Sequence, residues 1–383
     1  MTALNDLKWY TTFVFLIGAI LGLADPITDA LTLAEFHKEN HMEWFGVGLA
    51  LMILPCYLYF MVNNQTWNIF TVRGVTTDSL LRAFSFNPFA PALASLKAFV
   101  FCLKNFKKLW RREEVDCGNS GVDEVNRFLL YVKLLSFAEA TTESIPQFII
   151  QLYAANVQEE PVKIIQIISL SVSCLSIVWA FTGADELLHE GEFEMKIKHK
   201  VLFFVANLFV LTGRLFAISY FILGFRKWVA IVLGPHTLIL ALVDCISPCP
   251  ACDERCMLWS VFFLYSRWIR DDLCVPLEEE DIGRRRRRVR RMQWLSHVMF
   301  VVENFAMILL FFYLSTFSNA WYAFPVTVYV CIATILGSSI RLIHFRFLLK
   351  GPVAPEEAAG PAIQQGETPN VFVTVRPAWE QPL

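Results

Sequence analysis

Four polar residues recur at every fourth position of one apolar segment: Glu139, Glu143, Gln147 and Gln151. Residues four apart lie on one face of a helix, with a slow drift around its axis. Carboxylates on neighbouring turns repel each other and are costly at membrane depth, so they must face the bundle interior, water or a cation. Two interpretations stay open. The stripe lines a hydrophilic pathway or site, or it only joins helices through hydrogen bonds worth about 1 kcal/mol or less each.

A second acidic pair, Asp25 and Asp29, is also spaced by four residues and flanks Pro26, which frees a backbone carbonyl for hydration. We predict that one of these aspartates pairs with Arg214. The pair is either functional or holds the two halves of the molecule in register. The candidate counter-charges in apolar segments are Arg214, Lys133 and Arg341, and the further intramembrane acids are Asp244 and Glu303.

Cys245, Cys249, Cys252 and Cys256 form a C-x3-C-x2-C-x3-C run. Four thiolates in a short loop suit zinc, although zinc sites ordinarily use C-x2-C pairs with a longer separation. Cysteines beside a cytoplasmic membrane surface are also typical of S-palmitoylation. Zinc binding, palmitoylation, a disulfide and unmodified thiols therefore all stay open.

Seven of the eight residues from Arg284 to Arg291 are arginines, and an apolar run follows. Such a cluster is a topology signal for the cytoplasmic side. It also attracts anionic lipids of the cytoplasmic leaflet, at about 1 kcal/mol per residue near the surface. The predicted contacts with anionic lipid are Arg284, Arg285, Arg286, Arg287 and Arg288.

These residues belong to a chain of 383 residues that is 56% hydrophobic and only 18% charged, with a mean hydropathy of +0.48. This composition is too apolar for a soluble globular domain. Eight runs approach the length of about 20 residues that a spanning helix needs, and two shorter runs, 88–103 and 257–269, indicate re-entrant or interfacial helices. The sequence therefore predicts an all-α polytopic membrane helix bundle. The eight runs cover 9–33, 44–62, 128–153, 163–183, 200–223, 227–247, 297–317 and 321–343.

The order of these elements repeats, since two spans, a short segment and two further spans occur twice. This predicts two hydropathy-similar halves, 1–184 and 201–349, joined by a cytoplasmic loop over 185–200. A polar, Pro-containing tail over 350–383 cannot bury enough apolar surface to order itself alone. Lys and Arg concentrate in the loops that follow even-numbered spans, which places both termini in the cytoplasm.

Enzymatic chemistry finds no support in the sequence. It contains no Gly-rich phosphate loop, nucleophile elbow or dinucleotide fingerprint. The net charge of −2 provides no global field for nucleic acid. We therefore expect neither an enzyme, nor a cofactor, nor a nucleic-acid partner.

The segment from Glu143 to Tyr153, ESIPQFIIQLY, resembles the E-S-x-P-Q-x-x-x-Q-L-Y signature of the XK-related family. The eight apolar runs, the two short segments, the paired Asp25 and Asp29 and the polar tail are also similar to that family, so the resemblance covers about residues 1–350. It implies a multi-pass phospholipid scramblase of the plasma membrane. In some relatives caspase removal of the tail exposes phosphatidylserine on dying cells, and some relatives use a single-span chaperone or a surface-protein partner.

The chain departs from the caspase-activated relatives because no aspartate follows Arg291. Caspases require aspartate on the amino side of the cut, so caspase cleavage of the tail is not expected here. The stripes fit scrambling, since a headgroup needs a polar lining while its acyl chains stay in lipid, and its ammonium can pair with Glu139 or Glu143. Two alternatives stay open: an ion- or proton-coupled transporter, and a non-catalytic scaffold for a partner protein.

Overall fold

The computed structural model describes residues 7–66, 88–111, 113, 115, 122–158, 160–188, 197–235 and 279–344. Within these ranges the regular structure is helical and no strand occurs, which confirms the all-α prediction for the described part of the chain. The main helices are α1 (Thr11–Lys38), α2 (Met42–Thr66), α3 (Ala90–Lys104), α4 (Phe106–Arg111), α5 (Val122–Glu139), α6 (Ile145–Val157), α7 (Ile164–Leu188), α8 (Ile197–Phe225), α9 (Glu279–Leu314) and α10 (Ala323–Ile343).

Five helical segments are long and apolar enough to cross a bilayer: Thr11–Lys38, Ile164–Glu186, Ile197–Phe225, His297–Leu314 and Ala323–Ile343. They coincide with five of the eight predicted runs, so the protein is a multi-pass membrane protein by length and composition.

Of the remaining predicted runs, 128–153 is described in full, within α5, the turn over Ala140–Ser144 and α6. The run over 44–62 lies within α2, whose side chains the structure describes up to Leu54. Most of the run over 227–247, and all of the second short segment over 257–269, lie outside the described residues. The count of eight spans and the division into two halves therefore stay predictions.

The predicted short segment over 88–103 is the helix α3, whose 15 residues cover about 22 Å, less than the hydrocarbon core of a bilayer. It packs against α1 through small residues. A Cβ added at Gly22 would lie 3.2 Å from the backbone nitrogen of Ala92, and one at Gly18 would lie 3.4 Å from Ser95 Oγ. Small residues permit this approach, which is how helices gain packing energy in lipid.

The largest apolar cluster lies between α6, α7, α8, α9 and α10 and contains the buried residues Ile177, Leu215 and Phe311. A second cluster joins α1, α3 and α5 around Ala98 and Leu129. The side chains that α1 turns away from the bundle are apolar and exposed, as at Ile20 and Ile27, which suits a lipid-facing surface. Helix α1 therefore stands at the periphery, between the bundle interior and lipid.

Two connections differ from the sequence-based expectation. The arginine run expected in a loop lies within α9, because arginine is a good helix former and neither Gly nor Pro interrupts the chain between Arg284 and Leu314. The connection expected over 185–200 is partly helical, since α7 continues to Leu188 and α8 begins at Ile197.

Candidate functional site

The two aspartates of α1 are buried and accept hydrogen bonds from other helices. Asp25 is 2% exposed; Ser144 Oγ donates to its Oδ2 at 2.6 Å, and Ser173 Oγ of α7 donates to its Oδ1 at 2.5 Å. These bonds hold the Asp25 carboxyl between α7 and the start of α6.

Asp29, one turn further along α1, is fully buried. Ser169 Oγ donates to Asp29 Oδ1 at 2.6 Å, and Gln151 Nε2 donates to the same atom at 3.0 Å. The predicted stripes on α1 and on the 139–151 segment therefore meet in one place, and α7 supplies hydroxyl donors to both aspartates.

The other members of the stripe are also buried. Glu139 is 3% and Glu143 2% exposed, while Gln147 Nε2 donates to the backbone carbonyl of Gly48 in α2 at 2.6 Å. We call Asp25, Asp29, Glu139, Glu143, Gln147 and Gln151 the polar stripe.

Acceptor atoms outnumber donors in the polar stripe. Both carboxylate oxygens of Glu143, Oε1 of Glu139 and Oδ2 of Asp29 are buried without a hydrogen-bond partner among the described residues. The side-chain carbonyl oxygens of Gln147 and Gln151 are also buried without a hydrogen-bond partner among the described residues. A buried acceptor left without a donor is unfavourable by roughly 1–3 kcal/mol, more for a charged group. The site is therefore suited to a ligand that carries positive charge and donates hydrogen bonds.

A wide helical turn over Ala140–Ser144 aligns the stripe. Residues four apart drift around an ideal α-helix, which has 3.6 residues per turn, whereas a π-type turn takes up the extra residue. Pro146 lacks the N–H that an α-helix would use, and the hydroxyls of Thr141 and Thr142 donate to carbonyls of the preceding turn, at 2.9 Å to Phe137 O and 2.7 Å to Ala138 O. The turn thus offsets the predicted drift.

The predicted pairing of Arg214 with Asp25 or Asp29 is wrong. Arg214 is fully buried in α8; its Nη2 is 2.7 Å from Glu303 Oε2, and its Nη1 donates to Asn304 Oδ1 at 2.8 Å. The physical reason is the order of helices in space, since α1 packs against α3 and α7, whereas α8 packs against α9 and α10.

The other two candidate counter-charges also have partners outside the stripe. Lys133 Nζ is 3.3 Å from Glu186 Oε2, and Arg341 Nη2 is 3.0 Å from Asp185 Oδ2. None of the three predicted cations therefore contacts the acids of the stripe. Among the described residues, no three His, Cys, Asp or Glu side chains are grouped as they would be around a metal ion.

A sequence profile of the XK-related protein family matches residues 13–350 of this chain. The chain belongs to the XK-related family. XK-related protein 9 of Tetraodon nigroviridis is 23% identical over 243 residues, a match that covers 56% of this chain and 59% of that relative. The chain thus spans less than two thirds of the length of this relative, and the resemblance predicted from the signature is confirmed.

The remaining predicted site residues of this XK-related chain have different outcomes. Glu303 lies in α9 and pairs with Arg214, away from the stripe. Asp244 and the cysteines Cys245, Cys249, Cys252 and Cys256 lie outside the described residues. The backbone of the arginines 284–288 lies in α9. Their contact with lipid stays a prediction.

Sequence reasoning missed the serines that bind the aspartates. Ser169 and Ser173 are four residues apart in α7, the same spacing as Asp25 and Asp29. Two matched polar pairs in different spans were therefore a usable signal. It also missed Asp185 and Asn207, which contact Arg341.

Proposed function

We propose that this chain is a phospholipid scramblase of the plasma membrane. It moves lipids between the leaflets down their gradient and so exposes phosphatidylserine, as on dying cells. Membership of the XK-related family supports the proposal, together with the polar stripe buried between α1, α6 and α7.

The observation that carries the proposal is the excess of buried acceptors. Four carboxyl groups of the stripe are at most 3% exposed, and their hydrogen bonds come from serines and Gln151 rather than from a cation. The ammonium of a phosphatidylserine or phosphatidylethanolamine headgroup supplies both positive charge and N–H donors. The unpartnered oxygens of Glu139 and Glu143 are the proposed contacts for that ammonium.

The position of α1 suggests how a lipid would reach the stripe. One face of α1 carries Asp25 and Asp29, and the opposite face carries exposed apolar residues such as Ile20. A movement of α1 away from α7 would open the stripe towards lipid, so the headgroup would travel along protein while the acyl chains stay in the bilayer. No energy-coupling site is needed, because the lipid moves down its gradient.

The test is lipid scrambling by the purified chain in liposomes with a fluorescent lipid. Dithionite added outside bleaches about half of the probe if lipids do not cross and nearly all of it if they do. Glu143→Gln keeps the shape and removes the charge. Loss of a charge-assisted contact of about 1.5–3 kcal/mol predicts scrambling at least about tenfold slower.

The matched control is Glu113→Gln, the same change at a carboxylate that is 54% exposed and outside the spans; it should scramble like the unmodified chain. Thermal unfolding in detergent checks that both variants are folded. Bleaching no greater than in protein-free liposomes, or equal rates for Glu143→Gln and the unmodified chain, would contradict the proposal. Ion- or proton-dependent flux without lipid movement would favour the transporter alternative.

A further inference from the structure

The turn between α1 and α2 is joined to the connection between α6 and α7 by two ion pairs. Lys163 Nζ is 3.0 Å from Glu39 Oε1, and His41 Nε2 is 3.4 Å from Glu160 Oε2. The side chains of Lys163 and Glu160 are 44% and 46% exposed, while those of Glu39 and His41 are 13% and 26% exposed. Both pairs therefore lie at the water boundary, at the end of the bundle where α1 ends.

An apolar layer separates these ion pairs from the polar stripe. Leu33 and Phe36 of α1 and Ala154 of α6 are buried together, with Trp44 and Met52 of α2 packed against them. Leu33 is four residues beyond Asp29, and Ala154 is three residues beyond Gln151, so the layer begins about one helical turn past the stripe. None of these side chains carries a charge, so the layer disfavours charged headgroups at this level and closes the stripe at this end.

Local structure holds both sides of the ion pairs in place. Asn40 has a left-handed backbone with φ of 65°, and the N–H of His41 donates to Phe36 O at 2.8 Å, which ends α1 and turns His41 towards the α6–α7 connection. In that connection, the N–H of Lys163 donates to Gln166 Oε1 at 2.8 Å, and Gln166 Nε2 donates to Gln158 Oε1 at 3.0 Å.

We infer that these two ion pairs, Lys163 with Glu39 and His41 with Glu160, form a clasp that keeps this end of the polar stripe closed, and that a proton on His41 tightens it. The clasp is a property of the fold alone, and its effect on lipid movement rests on the proposed function. By the positive-inside rule this end faces away from the cytoplasm.

His41 is the member of the clasp whose positive charge depends on a bound proton. The hydrogen bond that Lys163 donates to Glu39 raises the pKa of Lys163, and a hydrogen bond from the backbone of Glu160 together with the contact to His41 lowers the pKa of Glu160. Those two groups are therefore charged at neutral pH. A proton on the His41 imidazole adds a positive charge facing Glu160 and tightens the clasp, and loss of that proton loosens it.

The remaining charged and titratable groups around the turn do not cancel the attraction between a protonated His41 and Glu160. Helix α1 contributes Glu35 and Lys38, which pair with each other at 2.6 Å, and His37, whose ring lies 5.2 Å from Phe45. Helix α2 contributes Glu43. Glu160 faces His41, and the opposing charge of Lys163 is held by Glu39.

The first experiment measures opening of the apolar layer independently of lipid movement. The full-length chain carrying Ala154→Cys is placed in nanodiscs and exposed at pH 7.5 to a bulky maleimide that does not enter membranes. Mass spectrometry of the peptide containing residue 154 then excludes signal from the native cysteines. Because Ala154 is fully buried, labelling reports opening of the apolar layer. If Ala154→Cys does not fold, Leu33→Cys in the same layer replaces it.

Charge variants on this background test the pair of Lys163 with Glu39. Lys163→Glu makes the pair repulsive and should speed labelling about two- to fivefold, the range expected for a partly exposed pair. The swap Glu39→Lys with Lys163→Glu should restore the original rate. The matched control is Lys38→Glu, the same change of charge at a lysine whose ion pair, within the described part of the chain, is with Glu35 of its own helix. This variant should be labelled at the same rate as the chain with unmodified charges. Equal labelling of all four proteins overturns the clasp.

Variants at His41 test whether a positive charge at this position tightens the clasp. At fixed pH, His41→Gln should label faster than His41→Lys, which keeps a permanent positive charge. Labelling rates are normalised to Ile164→Cys, a position that is 77% exposed. Identical rates for His41→Gln and His41→Lys would overturn the role of the proton.

Lipid scrambling by the same variants separates this inference from the proposed function. Labelling that follows the charge variants while no protein scrambles lipid means that the clasp stands and the scramblase proposal fails. Scrambling that proceeds while labelling ignores the charge variants means that the clasp fails and the scramblase proposal stands. If both hold, Lys163→Glu should scramble about two- to fivefold faster than the unmodified chain.

Discussion

Arg341 shows how this protein accommodates a buried charge. The side chain is 1% exposed near the end of α10, where it donates to Asp185 of α7 at 3.0 Å and to Asn207 of α8. Asn207 in turn donates to Asp185 at 2.9 Å. Each charge therefore offsets part of the desolvation penalty of the other, and three helices meet at one contact.

Replacing Arg341 by Met should destabilise the protein strongly. The change keeps most of the side-chain volume but removes the positive charge that contacts Asp185, a kind of loss expected to lower the free energy of unfolding by about 3–5 kcal/mol. Thermal unfolding in detergent measures it. Arg341→Met combined with Asp185→Leu should regain part of the lost stability, because the double variant no longer buries the Asp185 carboxylate without its cation.

The control for that experiment is Lys38→Met, the loss of a lysine that is 66% exposed and pairs with Glu35. Exposed pairs contribute little, so its melting temperature should stay close to that of the unmodified chain. A melting temperature of Arg341→Met that is equally unchanged would show that the Asp185 contact does not stabilise the fold.

At the scale of helices, glycines decide how closely α8 and α10 approach. A Cβ at Gly337 of α10 would lie 2.8 Å from the backbone nitrogen of Val210, and one at Gly213 of α8 would lie 3.3 Å from Ala333 Cβ. In lipid such close contacts replace the hydrophobic effect as the force between helices. The two helices are therefore matched in shape at these two positions.

Gly337→Ala should separate α8 from α10. The added methyl meets backbone atoms, which cannot move aside like the end of a flexible side chain, and overpacking of this kind lowers the free energy of unfolding by about 1–3 kcal/mol. The measurement is again the melting temperature in detergent.

Gly46→Ala is the matched control for Gly337→Ala. Gly46 also lies within a helix, α2, but a Cβ there would meet nothing within 4 Å. Alanine is a better helix former by about 0.8–1.0 kcal/mol, so this variant should be as stable as the unmodified chain or more stable. A Gly337→Ala protein that melts no lower than Gly46→Ala would argue against the tight contact.

At the scale of the whole molecule, charged contacts gather at both ends of the bundle, apart from the pair of Arg214 with Glu303 near the middle of α8. The clasp lies where α7 begins. Near the other end of α7, Lys133 and Lys200 both contact Glu186, and Asp185 contacts Arg341. The polar stripe lies between these levels, in contact with the middle of α7 through Ser169 and Ser173. This layering is consistent with a bilayer across the bundle, with its charged contacts near the two interfaces.

The predicted orientation can be tested at Asn64, which with Gln65 and Thr66 forms a glycosylation acceptor at the end of α2. With both termini in the cytoplasm this site also faces the cytoplasm, so the chain expressed in animal cells should carry no glycan there. The measurement is a change of mass on treatment with a glycosidase. A longer acceptor loop inserted between Gln158 and Lys163 should be glycosylated, and the opposite pattern would invert the topology.

The sequence by itself determined the class of protein, the family and the position of the stripe. Hydropathy and spacing are properties of a single segment, so the spans near α1, α7, α8, α9 and α10 and the spacing of Asp25, Asp29, Glu139 and Glu143 were readable without a structure. The same holds for the signature that begins at Glu143, which the family match confirmed.

The tertiary structure decided which charge meets which. Arg214 binds Glu303, 89 positions away, rather than Asp25 or Asp29, and the aspartates take their donors from Ser144, Ser169, Ser173 and Gln151. The clasp likewise joins Glu39 to Lys163 across four helix ends. The partner of a buried charge depends on which helices are neighbours in space and how each is rotated, and no local pattern of residues contains that information.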